Sequence, residues 1–345
     1  MTYKIYELKL KPISSWITDL TADTIFGHLC WQIKYHFWDP VLEKFLEEMD
    51  QPPIFTISDM LPSDRLPRPL TEYDWNLWKR TKITKEYNQQ ITYIPENELK
   101  KFSNYDSDKI KNIINSKDFE NEDNKKWTYF SEKIENKNIV NRLAWTTLEN
   151  WIYSQWVNEF NENKNELRIL IKSISNKNLR DYYLKIWENK EIKIDFFELF
   201  KNIFENWYWK KKSSWKWAFI IEQNDFDDIT ELFSNTWNNI LLLSSFIPSK
   251  DDPTDWNYKL FTKFPKLWEE FSLEWQNFYK KPLVMIQPGS TFKKTNNNWY
   301  VGKMIKDVNL WKFYRKDVKK DPETSSGWQK EINFYHYAYG FIIEF

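Results

Sequence analysis

The chain opens on an alternation. Ile5, Leu8 and Leu10 fall between Lys4, Glu7 and Lys9, with Tyr6 as one interruption, which predicts a strand over residues 3–10. From Thr21 to Phe37 the period changes. Ile25, Leu29, Ile33 and Phe37 recur every four residues and so line one stripe of an amphipathic helix, which Thr21 or Asp23 can cap. A second short helix is expected over 41–49. Residues 52–58 read as a strand, and Met60–Leu70, with prolines at 62, 67 and 69, is extended rather than helical.

Residues 97–138 are rich in Lys, Glu, Asn and Asp and poor in apolar positions, so a solvated insertion, helical or disordered, is expected there. A polar turn at 141–145 leads into a strand. Leu167, Ile169 and Ile171 alternate in a strand over 166–174, and 178–188 and 196–205 are expected to be helical. Strands follow at 218–223, 239–246 and 283–287, a hairpin return at 299–305, and a closing strand at 332–345. The stretches 248–255 and 312–328 are turn-rich. Helices and strands recur on both sides of residue 222. The fold class is therefore α+β, in two units of 1–222 and 223–345, each a sheet with helices on one face.

Charge and cysteine content narrow the function classes. Lys plus Arg and Asp plus Glu are 50 each, which excludes a histone-like polycation but permits local basic patches. A single cysteine, Cys30, leaves no intrachain disulfide and no multi-cysteine zinc site, and fits a reducing cytosol. Neither a secretory leader nor an apolar run of ~20 residues is seen, so a cytoplasmic protein without a membrane partner is expected. The three histidines, His28, His36 and His336, form no H-x-x-x-H pair, and nucleotide-loop and nucleophile-elbow motifs are absent. No cofactor, metal or catalytic residue is expected.

Two counts are abnormal. Glycine occurs 5 times where ordinary usage gives roughly 24. Tryptophan occurs 21 times, an excess about as large as the glycine deficit. Many of these tryptophans stand in turn contexts that glycine usually fills, such as Ser15-Trp16, Asn150-Trp151, Asn206-Trp207 and Asp255-Trp256. An AT-rich genome explains the Lys, Asn and Ile content but not the tryptophan. Translation of UGA as Trp where the organism reads Gly explains both counts. Trp75, Trp78 and Trp127 lie in helix-like or aromatic contexts and fit genuine tryptophan.

The stretch Glu205–Phe219 concentrates the chemistry: Trp207, Trp209, Lys210, Lys211, Lys212, Ser213, Ser214, Trp215, Lys216 and Trp217. As written, it suits stacking of bases on indoles with phosphates on ammonium groups. With glycine at 207, 209, 215 and 217, it is a basic glycine-rich loop whose N–H groups close on phosphates. The bland reading of such a lysine run is a solvated hairpin. Secondary candidates are Arg142, beside Thr146 and Thr147, and Lys293 and Lys294, after the Gly289-Ser290-Thr291 turn.

Several segments together resemble the RAMP superfamily of CRISPR proteins, and within it the fourth Csm subunit of type III-A effector complexes. Thr21–Trp31 looks like that family's first-helix motif, with Trp31 where glycine follows the cysteine. Asn141–Tyr153 is similar to its N-R-x-x-G-x-T-x-E-x-G-x-Y segment, and Trp207–Phe219 to its glycine-rich loop. Asp59-Met60-Leu61-Pro62 resembles its S-D-x-L-P segment, and Tyr339-Gly340-Phe341 its terminal strand. The resemblance implies two ferredoxin-like (RRM-type) domains and a non-catalytic role. It also implies three partners: the 5′ repeat-derived tag of the guide RNA, the large polymerase-like subunit and the backbone subunit. Two alternatives stay open: a repeat-RNA endonuclease of the same superfamily using His28 or His336, and a Trp-rich module binding single-stranded nucleic acid or carbohydrate.

Overall fold

The computed structural model describes residues 2–12, 21–50, 52–70, 93–96, 99, 130–141, 146–160, 166–187, 190–207, 219–221, 226–233, 238–253, 257–265, 281–294, 298–312 and 329–345. For 130–141, 146–160, 206–207, 307–312 and 329–334 it describes the backbone only. The chain begins with β1 (Tyr3–Pro12), then α1 (Ala22–His36) and α2 (Asp39–Glu48). Short strands β2 (Phe55–Ile57), β3 (Leu61–Pro62), β4 (Arg65–Pro67) and β5 (Tyr93–Pro95) precede a long ribbon of β6 (Phe130–Asn141) and β7 (Thr146–Phe160). Next come β8 (Leu167–Ile174), the hairpin β9 (Tyr182–Trp187) and β10 (Lys190–Ile194), and α3 (Phe196–Asn202). After α3 lie β11 (Phe219–Ile220) and β12 (Phe226–Asp228). The carboxy-terminal part holds β13 (Asn239–Leu242), β14 (Leu260–Lys263), β15 (Leu283–Ile286), β16 (Thr291–Lys293), β17 (Val301–Lys312), β18 (Gln329–Gly340) and β19 (Ile342–Glu344).

The central sheet runs β11-β1-β8-β2, every pair antiparallel. One phase of its alternation faces the helices. Leu8 and Leu10 of β1 and Ile169 and Ile171 of β8 pack there with Ile25, Leu29 and Ile33 of α1, Phe45 of α2 and Phe196 and Phe200 of α3. This is the stripe that the four-residue period predicts. The helix ends are set locally. Asp195 caps α3, its carboxylate accepting the N–H groups of Phe197 and Glu198. Thr21 makes no side-chain cap; instead Asp59 reaches across and accepts the Ala22 N–H at 2.8 Å. Asp59-Met60-Leu61-Pro62 therefore ties the start of α1 to the sheet.

The other phase of the same sheet is covered too. Ile5 and Leu170 pack against Leu241 and Leu243, and against Phe341, Ile343 and Phe345 at the chain's end. The phenol of Tyr339 donates to the Met49 carbonyl at 2.8 Å, and the Ile57 N–H donates to the Tyr337 hydroxyl at 2.9 Å. Residues on both sides of position 222 thus share one core.

Two local expectations change. Of the residues 178–188 expected to be helical, 178–187 are not: they enter the β9–β10 hairpin, and 188 lies outside the described residues. Tyr182 and Leu184 are buried while Tyr183, Lys185 and Trp187 are exposed, a period of two that the two adjacent tyrosines mask in the sequence. The last part of the charged insertion, 130–138, lies in β6; most of 97–129 falls outside the described residues. Helices line the amino-terminal sheet. Among the described residues beyond 222 the only helical element is the turn Thr230–Phe233. The class is α+β.

Two described glycines have left-handed backbone. Gly289 and Gly302 have φ of 83° and 88°, and a Cβ at Gly302 would meet the Ala338 carbonyl at 2.2 Å. Asp64 is the one described non-glycine residue with positive φ, so the backbone at Trp31, Trp38, Trp187 and Trp299 does not itself demand glycine. Trp299 is buried with its indole N–H lacking an acceptor among the described residues, whereas Trp38 and Trp187 stand in solvent.

Because the seam is a shared core, Leu170→Ala should destabilise the whole chain by about 3 kcal/mol. Circular dichroism and tryptophan fluorescence should report one coincident transition. A separate early melt of the carboxy-terminal half would refute a single cooperative unit.

Candidate nucleic-acid interface

Of the central stretch, Tyr208–Ala218 lies outside the described residues, and with it Trp209, Lys210, Lys211, Lys212, Ser213, Ser214, Trp215, Lys216 and Trp217. Its two ends are well defined. The chain enters through Ile203–Trp207, where α3 widens into a π-helical turn. Such turns are rare and often sit at functional sites. It leaves through Phe219 and Ile220, which pair with Pro12 and Lys11 at the end of β1. Phe204 and Phe219, both buried, meet edge-to-face with ring centroids 6.0 Å apart. Packed aromatics thus clamp the neck of the loop to the helix-side core.

The secondary candidates lie elsewhere. Arg142 sits between β6 and β7, outside the described residues; Thr146 and Thr147 pair with Asn141 and Val140 in the ribbon. Lys293 is exposed at the end of β16. Lys294 binds the Glu344 carboxylate at 2.7 Å. That pair lies near Lys172, which is opposite Ile5 in the β1–β8 ladder, whereas the neck is at Lys11–Pro12. At ~3.3 Å per strand residue the separation along β1 is roughly 20 Å. Lys294 and the described ends of the 205–219 stretch therefore lie at different points along β1.

The seam side of β8 carries two buried cations that the alternation of Leu167, Ile169 and Ile171 does not announce. Arg168 donates to Glu7 at 3.2 Å, to Glu96 at 2.9 Å and to the Arg65 carbonyl at 3.0 Å. Lys172 donates to the Ile342 carbonyl at 3.0 Å, with its ammonium 3.9 Å over the Tyr3 ring. Burial pushes the Lys172 ammonium down to about 7; the Glu344 carboxylate works against the shift and Lys294 adds to it. The available signal is Leu170, an apolar residue in the phase that should face water.

Burial also pushes His28 down to about 4, so it is neutral at physiological pH. His336 is buried as well. Neither histidine presents an imidazole on the surface. Among the described residues no group of three His, Cys, Asp or Glu side chains is placed to hold a metal, and no helix is long and apolar enough to cross a membrane.

No family model matches the sequence, and no curated protein matches it. The fold, however, has counterparts among solved structures. A chain in the crystal structure of the Csm3–Csm4 subcomplex of the type III-A CRISPR-Cas interference complex superposes with a TM-score of 0.54 at 16% identity, covering 99% of each chain. A chain of the Csm1–Csm4 cassette crystallised with pppApA gives 0.50 at 13% identity, covering 99% of this chain and 97% of that one. The same cassette with cA4 gives 0.50 over the same span. The subunit common to these assemblies is Csm4, and this chain has the corresponding fold from end to end.

The Lys172 amine makes a pH-dependent contribution. Between about pH 7 and its ordinary 10.5, the folded chain has released this proton while the unfolded chain keeps it, so stability rises with pH across that window. Denaturant titrations at pH 7, 8 and 9 should show a slope of about 1 kcal/mol per pH unit that Lys172→Met lacks. Equal slopes in both chains would place the amine in solvent.

Proposed function

We propose that this chain is a non-catalytic, RNA-gripping subunit of a type III-A CRISPR effector complex. The observation that carries the reading is the end-to-end likeness to chains of two Csm4-containing assemblies, combined with the 205–219 stretch in a sequence that independently resembles that family. The β1–α1–β2–β8–α3–β11 succession, with its spatial order β11-β1-β8-β2, supports a ferredoxin-like amino-terminal domain. We read the carboxy-terminal part, 223–345, as a second such domain.

In this reading the loop holds the 5′ repeat-derived tag of the guide RNA. Lys210, Lys211, Lys212 and Lys216 neutralise phosphates, and Ser213 and Ser214 donate to their oxygens. Glycine at 207, 209, 215 and 217, written as tryptophan through UGA recoding, brings backbone N–H groups to the RNA without a Cβ in the way. Arg142, Lys293 and Lys294 are further candidate contacts. The protein partners are a large polymerase-like subunit and a backbone subunit. The buried, neutral His28 supports a role without general acid–base chemistry.

One observation favours the aromatic alternative. The Lys190 ammonium lies 4.7 Å from the Trp38 ring and 5.3 Å from the Trp187 ring, and both indoles are exposed. If these tryptophans are genuine, they form a cation–π platform.

Intact mass of the natively expressed protein decides between the two, since each Trp-to-Gly exchange lowers the mass by a fixed step. A mass equal to that of the written chain would sink recoding. RNA gripping is tested by changing Lys210, Lys211, Lys212 and Lys216 together to Ala. Binding to a single-stranded RNA bearing the host's repeat-derived 5′ segment should weaken, and the slope of log affinity against log salt should shrink by about 3. An unchanged slope would remove the loop from the interface.

A further inference from the structure

The β9–β10 hairpin lays one face on the helix-side core, through Tyr182, Leu184 and Ile194, and turns the other outward. The outward phase of β9 reads Tyr183, Lys185, Trp187, and their cross-strand partners on β10 are Lys193, Glu191 and Lys190. All six are exposed. Tyr183 and Trp187 are 59% and 56% open to water, on the face that packing does not use. Trp38, just before α2, extends the row: the Lys190 ammonium lies 4.7 Å from its ring and 5.3 Å from that of Trp187. Three features say what such a face takes. Rings alternate with ammonium groups, so the ligand offers flat surfaces and negative charge together, as unpaired nucleic acid does. Lys185, Lys190 and Lys193 outnumber Glu191 there, with Asp181 pairing Lys193 at the edge, and a neutral sugar would leave these lysines unused. Successive outward residues of a strand stand about 6.8 Å apart, twice the ~3.4 Å step along one stacked strand, so bases held there are splayed to one per ring. The indoles form no cage for a ligand cation, because Lys190 already lies against both.

We propose that the outer face of the β9–β10 hairpin is a platform for single-stranded nucleic acid, with bases on Tyr183 and Trp187 and phosphates on Lys185 and Lys190. It goes beyond the reading of 205–219 and does not depend on it. Nor do Tyr183, Lys185 and Lys190 depend on how UGA is read; glycine at 187 would remove one ring and leave the other. The platform is blind to sequence, since every base has a π face and the lysines meet only the backbone. The buried phase holds it in place: Tyr182 packs on Phe196 of α3 and donates to Glu48 of α2, so the hairpin is fastened to two helices.

The test uses the full chain, and in parallel the four-lysine loop variant, with an oligouridine of about 15 nucleotides as probe. Tyr183→Thr keeps strand propensity but removes the ring; it should weaken binding about tenfold and leave the salt slope unchanged. Tyr183→Phe should bind like the parent. Lys185→Ala combined with Lys190→Ala should flatten the salt slope by about 1.4, the share of two phosphates on a single strand. Lys44→Ala, on α2, is the control and should change neither quantity. An RNA duplex of the same length should compete poorly, because its bases are not free to reach the rings. Parent-like binding by Tyr183→Thr, or a duplex that competes as well as oligouridine, would reduce the face to ordinary surface charge and overturn the platform. An unchanged salt slope in the double-lysine variant would overturn it too. The loop reading fails on a different result, parent-like binding of the tag RNA by the four-lysine variant, so the two failures are told apart.

Discussion

The structure depends on the β1–β8 ladder being buried on both faces. Eight consecutive pairs, from Tyr3 with Ile174 to Leu10 with Leu167, fix which side chains go to the helices and which to the seam. A slip of one residue would exchange the two sets and drive Arg168 and Lys172 into the helix-side core, where neither finds a partner. The seam side accepts those cations because other segments bring acceptors to them. The Arg65 carbonyl comes from β4 and Glu96 from the residue after β5, and the Ile342 carbonyl and Glu344 come from β19. The fold is thus closed by its last strand.

The described residues on either side of 208–218 are anchored to the same core. Phe204 and Phe219 hold the two ends of that stretch against the helix core, and the β1–β11 pairs fix the direction in which the chain departs.

Legibility followed periodicity. α1 is plain in Ile25, Leu29 and Ile33 because a stripe every four residues has no other use, and the same holds for the alternation in β1. The β9–β10 hairpin was hidden because Tyr182 and Tyr183 are both aromatic, and only burial separates the one that faces the core from the one that faces water. The candidate site was legible from composition. Lysines, serines and tryptophans concentrated in one short stretch single it out whichever residue type is correct.

The sequence by itself determined the α+β class, the principal helices, the first and last strands and the location of the basic loop. These follow from local patterns that a residue and its near neighbours settle. It also showed that glycine is missing and tryptophan is in excess, which no coordinate reveals. Only the tertiary structure decided that both faces of the sheet are covered, that Lys172 and Arg168 are interior, and that Lys294 pairs with Glu344. Those outcomes depend on contacts between residues more than a hundred positions apart, such as Lys172 with Ile342 and Met49 with Tyr339. Local pattern cannot encode them, because the same alternation serves a sheet with one face in water and a sheet with none.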